Sequence, residues 1–324
     1  MKRFALFLLI VLVAAPLFAT EDLVSVYRKE GMKPIEKLLD KRLATPNYWR
    51  KALKAHDIVL GYFDNPTDLL LCAKSTKKLE LYHANGHFKL VQKSPIVVGK
   101  LPGDKVREGD MRTPLGVYHI VNRIQNPGPE YGPLAFVTDY PNRFDQIRHK
   151  NGHGIWLHGF PEDCKDKNAT KGCIALRNDS LLKLNKKMDW RNALLIISDK
   201  PMHRIEVGKL SRLLAFIFQW RYDWKYNHFN RYISHYSPKM IFKMTKDYTD
   251  FVNYKRRVFK KNEGLKKMIR FEDLKVVPYP NSLGKKLWYV SFHEVYQSGK
   301  YRFEGPKELI VDEIIPNHFR ILVE

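Results

Sequence analysis

From about residue 58 to residue 200, short apolar runs alternate with Gly, Pro and Asn, and such punctuation admits strands and tight turns but few helices. Residues 69–74 read as an apolar strand, and Leu79, Leu81 and His83 alternate with Glu80 and Tyr82 before the turn Ala84-Asn85-Gly86-His87. Phe88, Leu90 and Val91 follow, so Asn-Gly marks a hairpin. Residues 95–99, 116–121, 155–158 and 194–198 continue the series. A helix fits only at 179–188, with Asn178 or Asp179 as its N-cap, so this region is expected to be mostly β.

The flanks differ in texture. Val24, Tyr27, Ile35, Leu38, Leu39, Leu43 and Tyr48 recur at roughly helical spacing, and Gly31 and Pro34 break that run into two or three short helices. A segment this small buries no core alone; it must pack on the next domain or on another copy, and a homodimer through these helices is expected. From about residue 204, Leu210, Leu213, Leu214, Ile217, Phe218, Trp220, Trp224, Phe229 and Tyr232 fall near helical spacing, and Tyr248, Phe251, Val252 and Val258 form a second helix. Strands at 271–277, 286–296, 301–303 and 307–312 complete an α+β arrangement, with helices on one concave face of an antiparallel sheet. The aromatic stripe reads as core, although such a cone can leave a pocket lined by Trp220, Trp224 and Tyr236.

At 324 residues, 44% hydrophobic and 13% aromatic, the chain is too long for a disulfide-stapled miniprotein and too apolar for disorder. Collagen, a coiled-coil array and a multi-span membrane protein are excluded. Fifty-seven Lys and Arg against 34 Asp and Glu leave a formal charge of +23, which points to a polyanion or an anionic surface. The compartment decides which. Lys2 and Arg3 precede an apolar run from Phe4 to Pro16, and Leu17, Phe18, Ala19 and Thr20 lead into Glu21 and Asp22, the order of a secretory signal peptide cleaved after Ala19; the alternative is a signal anchor, since Leu17 is a poor residue for the small site two before the cut. That run is shorter than the ~20 residues of a spanning helix. The expectation is an exported periplasmic protein, not integral to the membrane after cleavage and not a partner of nucleic acid. The polyanion that remains is the cell wall, whose peptidoglycan stem peptides carry free carboxylates, or the membrane surface, and the run Lys255, Arg256, Arg257, Lys260 and Lys261 suits such a ligand or simply a solvated face.

Cys72, Cys164 and Cys173 are an odd set, which cannot pair completely within one chain in an oxidising compartment. Cys72, inside an apolar run, reads as a core thiol. Cys164 reads either as a loop thiol or as a redox partner that masks Cys173.

Chemistry concentrates in Gly154-Ile155-Trp156-Leu157-His158-Gly159 and, fifteen residues after the histidine, in Thr170-Lys171-Gly172-Cys173-Ile174. A thiol needs a neighbouring base to become thiolate near neutral pH, and imidazole, with pKa ~6.5, is the usual one. Gly172 lets a substrate carbonyl approach the backbone, where amides around Cys173 can donate to the oxyanion of a tetrahedral intermediate. By themselves, a His and a Cys at this spacing are a weak signal, and a structural thiol is the better reading of them.

His158-Gly159 with Thr170-Lys171-Gly172-Cys173 resembles the signature of the L,D-transpeptidase catalytic domain, the YkuD family, whose pattern is His, about fifteen residues, then Ser/Thr-His-Gly-Cys. Residues 109–118 (Gly-Asp-Met-Arg-Thr-Pro-Leu-Gly-Val-Tyr) and 94–100 (Ser-Pro-Ile-Val-Val-Gly-Lys) resemble the same family, and the similarity spans roughly 66–200. The resemblance implies a β-rich catalytic domain, Cys173 as nucleophile, His158 as base, Gly172 as an oxyanion-hole position and Asn178 as a residue that orders the loop. It implies a murein stem peptide as substrate, attacked at the L,D bond from diaminopimelate to D-Ala, and no metal or cofactor.

Lys171 stands where the family usually has His, and Ala175 where it often has Arg, so substrate charges must be held differently. Thr170, Lys171, Ala175 and the strand residue Trp156 are the candidates for lining the substrate, with Arg148 and Lys150 as candidates for its carboxylate. His153 is a second imidazole nearby in sequence. The whole order is similar to the cell-shape L,D-carboxypeptidases of helical bacteria: leader at 1–19, helical segment at 20–60, catalytic domain at 61–202, and an α+β cone like nuclear transport factor at 203–324. That likeness implies trimming of terminal D-Ala from tetrapeptide to tripeptide stems, with water as acceptor. A transpeptidase forming 3-3 cross-links and a non-catalytic wall-binding scaffold are the alternatives.

Overall fold

The structure is a computed structural model that describes residues 23–161, 168–242 and 247–324. Cys164 and the expected leader lie outside the described residues. The chain divides into two compact units, Met1–Arg42 and Leu43–Glu324. In the first, α1 (Leu23–Glu30) is followed by α2 (Met32–Leu43), which runs to the unit's end. Gly31, at φ +80°, makes the break between them, a conformation cheap only for glycine. Pro34, expected to break the run as well, sits in the first turn of α2, where no intrahelical N–H bond is lost.

The second unit opens with α3 (Pro46–Ala52), β1 (Tyr62–Phe63), β2 (Thr67–Ala73), β3 (Lys78–Ala84), β4 (Phe88–Pro95), β5 (Gly116–Gln125) and β6 (Leu134–Thr138). It continues with α4 (Arg143–Ile147), β7 (Trp156–His158), β8 (Ile174–Ala175), α5 (Asn178–Lys187) and β9 (Ala193–Ser198). Eight of these strands form one sheet in the order β4-β3-β2-β9-β5-β6-β7-β8. The central pair β2 and β9 runs parallel and is buried on both faces, which is why both read as unbroken apolar runs. Asn85-Gly86 turns β3 into β4, with Gly86 at φ +72°.

The remainder holds α6 (Val207–Lys225), α7 (Phe229–Ser234), α8 (Tyr248–Lys261), β10 (Lys267–Tyr279), β11 (Leu287–Ser298), β12 (Tyr301–Ile315) and β13 (His318–Val323). The second sheet is antiparallel, in the order β1-β10-β11-β12-β13. Trp220, Tyr232 and Phe251 from the helices bury against Val276, Val290 and Val311 of that sheet. Trp220, Trp224 and Tyr236 are core, and the Trp220 indole N–H donates to Tyr236 Oη at 2.9 Å.

The two sheets share a core. Alternation along β2 and β9 sends Leu70, Cys72, Leu195 and Ile197 to one face of the large sheet and Leu69, Leu71, Leu194 and Ile196 to the other. The second set packs with Val277, Tyr279, Leu287 and Tyr289 of the cone sheet, so catalytic domain and cone form one packed body.

Four expectations need correcting. Residues 62–63, placed in the catalytic domain, instead pair with β10, and Trp49 of α3 packs its ring 5.1 Å from Phe218 of α6, so the chain touches the cone before it enters the catalytic sheet. Residues 179–188 are not the only helix of the middle region: α4 is a second one, five residues long and too short for periodicity, capped by Asn142 Oδ1 accepting from Asp145 N at 2.9 Å. Asn178 is not an N-cap, because Arg177 holds that position and the Asn178 amide is engaged elsewhere. Strands 301–303 and 307–312 are one strand, β12, running through Pro306. Proline is tolerated there because β13 pairs only with residues from Ile310 onward, leaving an open edge beside its missing N–H.

Candidate active site

Cys173 lies in the tight connection from Thr170 to β8. The Thr170 hydroxyl donates to Cys173 O at 2.7 Å and accepts from Gly172 N at 3.1 Å, closing the turn. Thr170 N and O pair with Val98 O and Lys100 N, and Ala175 exchanges two bonds with Val97, so segment 97–100 flanks the turn on one side. Gly172 has φ +140°, and a Cβ there would stand 2.8 Å from Arg112 O. The backbone of 109–116 therefore backs directly onto the residue before the thiol.

On the other side is β7, parallel to β8, aligning Leu157 with Ile174 and His158 with Ala175. Side chains alternate across a strand, so Cys173, two before Ala175, belongs to the side that His158 faces, one ladder step away. The Cys173 residue is half-buried, whereas His158 is buried. Cys173 Sγ donates to Gly154 O at 3.3 Å. His158 Nδ1 lies 2.6 Å from Gly159 O, which fixes Nδ1–H as donor and makes Nε2 the basic nitrogen of the neutral ring.

Asn178 holds the histidine's loop. Its Oδ1 accepts from Phe160 N at 2.8 Å and its Nδ2 donates to Phe160 O at 3.0 Å. Both Gly159 and Gly132 make room for that amide, since a Cβ on them would meet Asn178 Oδ1 at 2.2 and 2.5 Å. Tyr131, missed by sequence reasoning, completes the support: its carbonyl accepts from Gly159 N at 2.8 Å, and its ring sits 5.1 Å from His158 and 5.0 Å from the half-buried Trp156. No spacing pattern marks Tyr131, because β6 and β7 bring it to the histidine only on pairing.

Several expected substrate contacts fall elsewhere. Lys150 is buried, 2.8 Å from both Asp104 Oδ1 and Asp145 Oδ1, and is not available to a substrate carboxylate. Arg148 is consumed alongside it, donating to Ser282 Oγ at 3.1 Å and lying 3.5 Å from Asp104 Oδ2. Ala175 is fully buried between His158 and Val97, and the Thr170 hydroxyl is spent inside the turn, so neither side chain lines an open groove. The Gly172 amide is likewise engaged by Thr170, so its donation to an oxyanion requires that bond to be exchanged. Of the expected cations, Lys171 alone is exposed. His153 is exposed too, 4.0 Å from Glu108.

Asp104 and Asp145 form an ionic brace behind the site. Asp104 also accepts from Leu115 N at 2.9 Å and Ser282 Oγ at 2.8 Å, and Asp145 from Tyr118 Oη at 3.0 Å. Burial pushes the Asp145 carboxyl up, with Lys150 opposing it. Asp110, two residues before Arg112, feels the same push from burial, but donors from Val106, Lys105, Arg107 and Arg112 outweigh it and hold its pKa at about 2. Among the described residues no group of three His, Cys, Asp or Glu is placed to hold a metal.

A half-buried thiol on the side of the sheet that an oriented imidazole faces, on a strand-rich scaffold, points to a class, and the L,D-transpeptidase catalytic domain (YkuD) family matches residues 67–209. The Cds6 C-terminal NTF2-like domain family matches residues 212–324. The chain belongs to the family of proteins that carry the L,D-transpeptidase catalytic domain. It is similar over most of its length to the helical cell shape determining protein Pgp2 of Campylobacter jejuni, at 32% identity and TM-score 0.79, covering 86% of this chain and 98% of that one. A single-residue variant of Pgp2 gives 30% identity and TM-score 0.81 over 87% and 98% of the two chains. Bd1075 of Bdellovibrio bacteriovorus shares the fold, with 24% identity and TM-score 0.66 over 82% of this chain and 95% of that one. Among curated proteins, none matches the chain.

Proposed function

We propose that this protein is a periplasmic cysteine L,D-carboxypeptidase that removes the terminal D-Ala from peptidoglycan tetrapeptide stems, leaving tripeptides, and thereby takes part in cell shape. The observation that carries the reading is the β7–β8 register, which sets His158 and Cys173 on one side of the sheet, with Nε2 as the ring's base. Nε2 takes the thiol proton, and the thiolate attacks the carbonyl carbon of the diaminopimelate-D-Ala bond. The tetrahedral intermediate collapses as the imidazolium protonates the leaving amine, giving a thioester and free D-Ala. Water, deprotonated by the same imidazole, then attacks the thioester and releases the tripeptide.

Lys171, two residues before the nucleophile and exposed, supports the reading as a cation for a stem carboxylate. Export rests on the leader-like residues 1–19, and no helix of the described residues is long and apolar enough to cross a membrane. Dimerisation through the N-terminal helices draws support from Val24, Tyr27 and Met32, all exposed there, and light scattering reads it directly.

The test is incubation of purified disaccharide tetrapeptide with the full chain, followed by mass spectrometry. Wild type is expected to release D-Ala and Cys173→Ala to release none. Turnover that survives this substitution sinks the assignment, and 3-3 dimers formed when an acceptor stem is supplied would replace water by an amine as acceptor.

A further inference from the structure

The cone ends in two turns that lie side by side. The first, at residues 262–266, follows α8: Leu265 N donates to Asn262 O at 3.3 Å, and a Cβ on Gly264, at φ +74°, would meet only open space. The second, at Gly299, joins β11 to β12. Ser298 Oγ donates to Asn262 Oδ1 at 2.8 Å, and a Cβ on Gly299 would stand 3.3 Å from Leu265 Cδ1, so the turns touch. This tip is remote from the catalytic sheet. Tyr289 of β11 meets His119 of β5 through its hydroxyl at 2.7 Å, and from Tyr289 to Ser298 the strand rises about 30 Å.

The tip combines two kinds of surface. Leu265 is 46% exposed and Tyr301 60%, whereas Trp220, Trp224 and Tyr296 of the same cone are buried. With them, Lys260, Lys261, Lys266 and Lys300 are all exposed and make no ion pair among the described residues. Glu263 is the only acidic residue within 260–266 and 297–301, which leaves the tip cationic. Glu304, further along β12, is taken by Arg302 at 2.7 Å.

Charge and shape together select a partner. A second copy of the tip brings the same ammonium groups and is repelled. A glycan strand or a peptide is held best in a concave seat, and two adjoining turns offer none. A lipid surface needs no seat: ammonium groups meet its phosphates while an aliphatic and an aromatic side chain enter the headgroup region. We infer that the cone tip docks the protein on an anionic phospholipid bilayer, through Lys260, Lys261, Lys266 and Lys300 at the headgroups and Leu265 and Tyr301 in the interface. Strands β11 and β12 then act as a spacer between the bilayer and the catalytic sheet. The inference uses neither Cys173 nor the hydrolase reading.

The test is flotation of the exported chain with vesicles of three parts phosphatidylethanolamine to one part phosphatidylglycerol, with phosphatidylcholine vesicles and purified sacculi as the other arms. Wild type is expected to float with the anionic vesicles, to bind phosphatidylcholine at least tenfold more weakly, and to be released by salt. The Lys266→Glu/Lys300→Glu double variant is expected to lose at least tenfold in binding at an unchanged urea midpoint. Should it unfold, the milder Lys300→Ala is expected to lose threefold or more. Leu265→Ser is expected to lose threefold or more while keeping the salt dependence of wild type. Equal binding to both kinds of vesicle, no flotation, or flotation indifferent to these variants overturns the inference. So does a lysine-dependent attachment to sacculi that exceeds the one to vesicles, or a dimer broken by the same variants, either of which gives the tip another occupant. D-Ala release without flotation sinks the docking alone, and variant-sensitive flotation of a chain that releases no D-Ala sinks the hydrolase reading alone.

Discussion

At the residue scale, the site depends on positions that do no chemistry. Gly172 is required twice over, by its φ of +140° and by the 2.8 Å that a Cβ would leave to Arg112 O, a backbone atom that cannot swing away. Gly172→Ala is therefore expected to displace the thiol, with a loss of D-Ala release on the order of 100-fold, checked by steady-state kinetics against an unchanged far-UV spectrum. Asn178→Ala strips both bonds from Phe160 and loosens the loop after His158. The expected cost is about 1–3 kcal/mol in urea unfolding, with kcat falling more than KM; an unaltered kcat would separate Asn178 from the histidine's orientation.

At the element scale, the connection carrying residues 104–116 is braced from behind. Lys150 sits between Asp104 and Asp145, and Asp104 in turn holds the Leu115 amide and the Ser282 hydroxyl of the cone. Lys150→Ala removes the ammonium shared by two buried carboxylates and leaves Asp145 without an ion-pair partner among the described residues, and the expected destabilisation is about 3–5 kcal/mol by urea titration. A loss below ~1 kcal/mol, the range of exposed pairs, would mean that the brace carries little. The same physics explains why α8 does not present its basic run as one surface: Lys255 turns inward to Glu324 at 3.3 Å, while Arg256, Arg257 and Lys260 face solvent.

At the scale of the whole molecule, each half of the packed body holds a carboxylate well below the ordinary range. Asp110 in the catalytic domain stands at about 2 for the reasons given above, and Glu324 in the cone is also at about 2. Burial pushes Glu324 up, but Lys255, Lys307 and Tyr236 outweigh it. A carboxyl whose folded pKa is depressed contributes stability that is fully present above its unfolded value and lost as pH falls through the folded one. The window here is thus about pH 4.5 down to about 2, with each group worth on the order of 2–3 kcal/mol. Calorimetry is expected to find Tm dropping steeply across that window, and Glu324→Gln to lower Tm at pH 7 while flattening the acid limb. An equal Tm deficit in the variant at pH 7 and at pH 2 would remove Glu324 from this role.

Local signals carried much of this protein. The Asn85-Gly86 hairpin, the unbroken apolar runs of β2 and β9, the helical spacing of α6 and α8, and the His158 and Gly172-Cys173 motifs all follow from neighbours along the chain, because turn chemistry, periodicity and close backbone approach are local constraints. What the chain alone left open depends on contacts between distant segments. Folding sent Lys150 and Arg148 to Asp104 and Ser282 instead of to a substrate, drew β1 and Trp49 to the cone, and brought Tyr131 against His158. A side chain's charge is written in the sequence, but the partner that neutralises it is chosen by which surfaces lose water together, and that is decided only when the sheets pack.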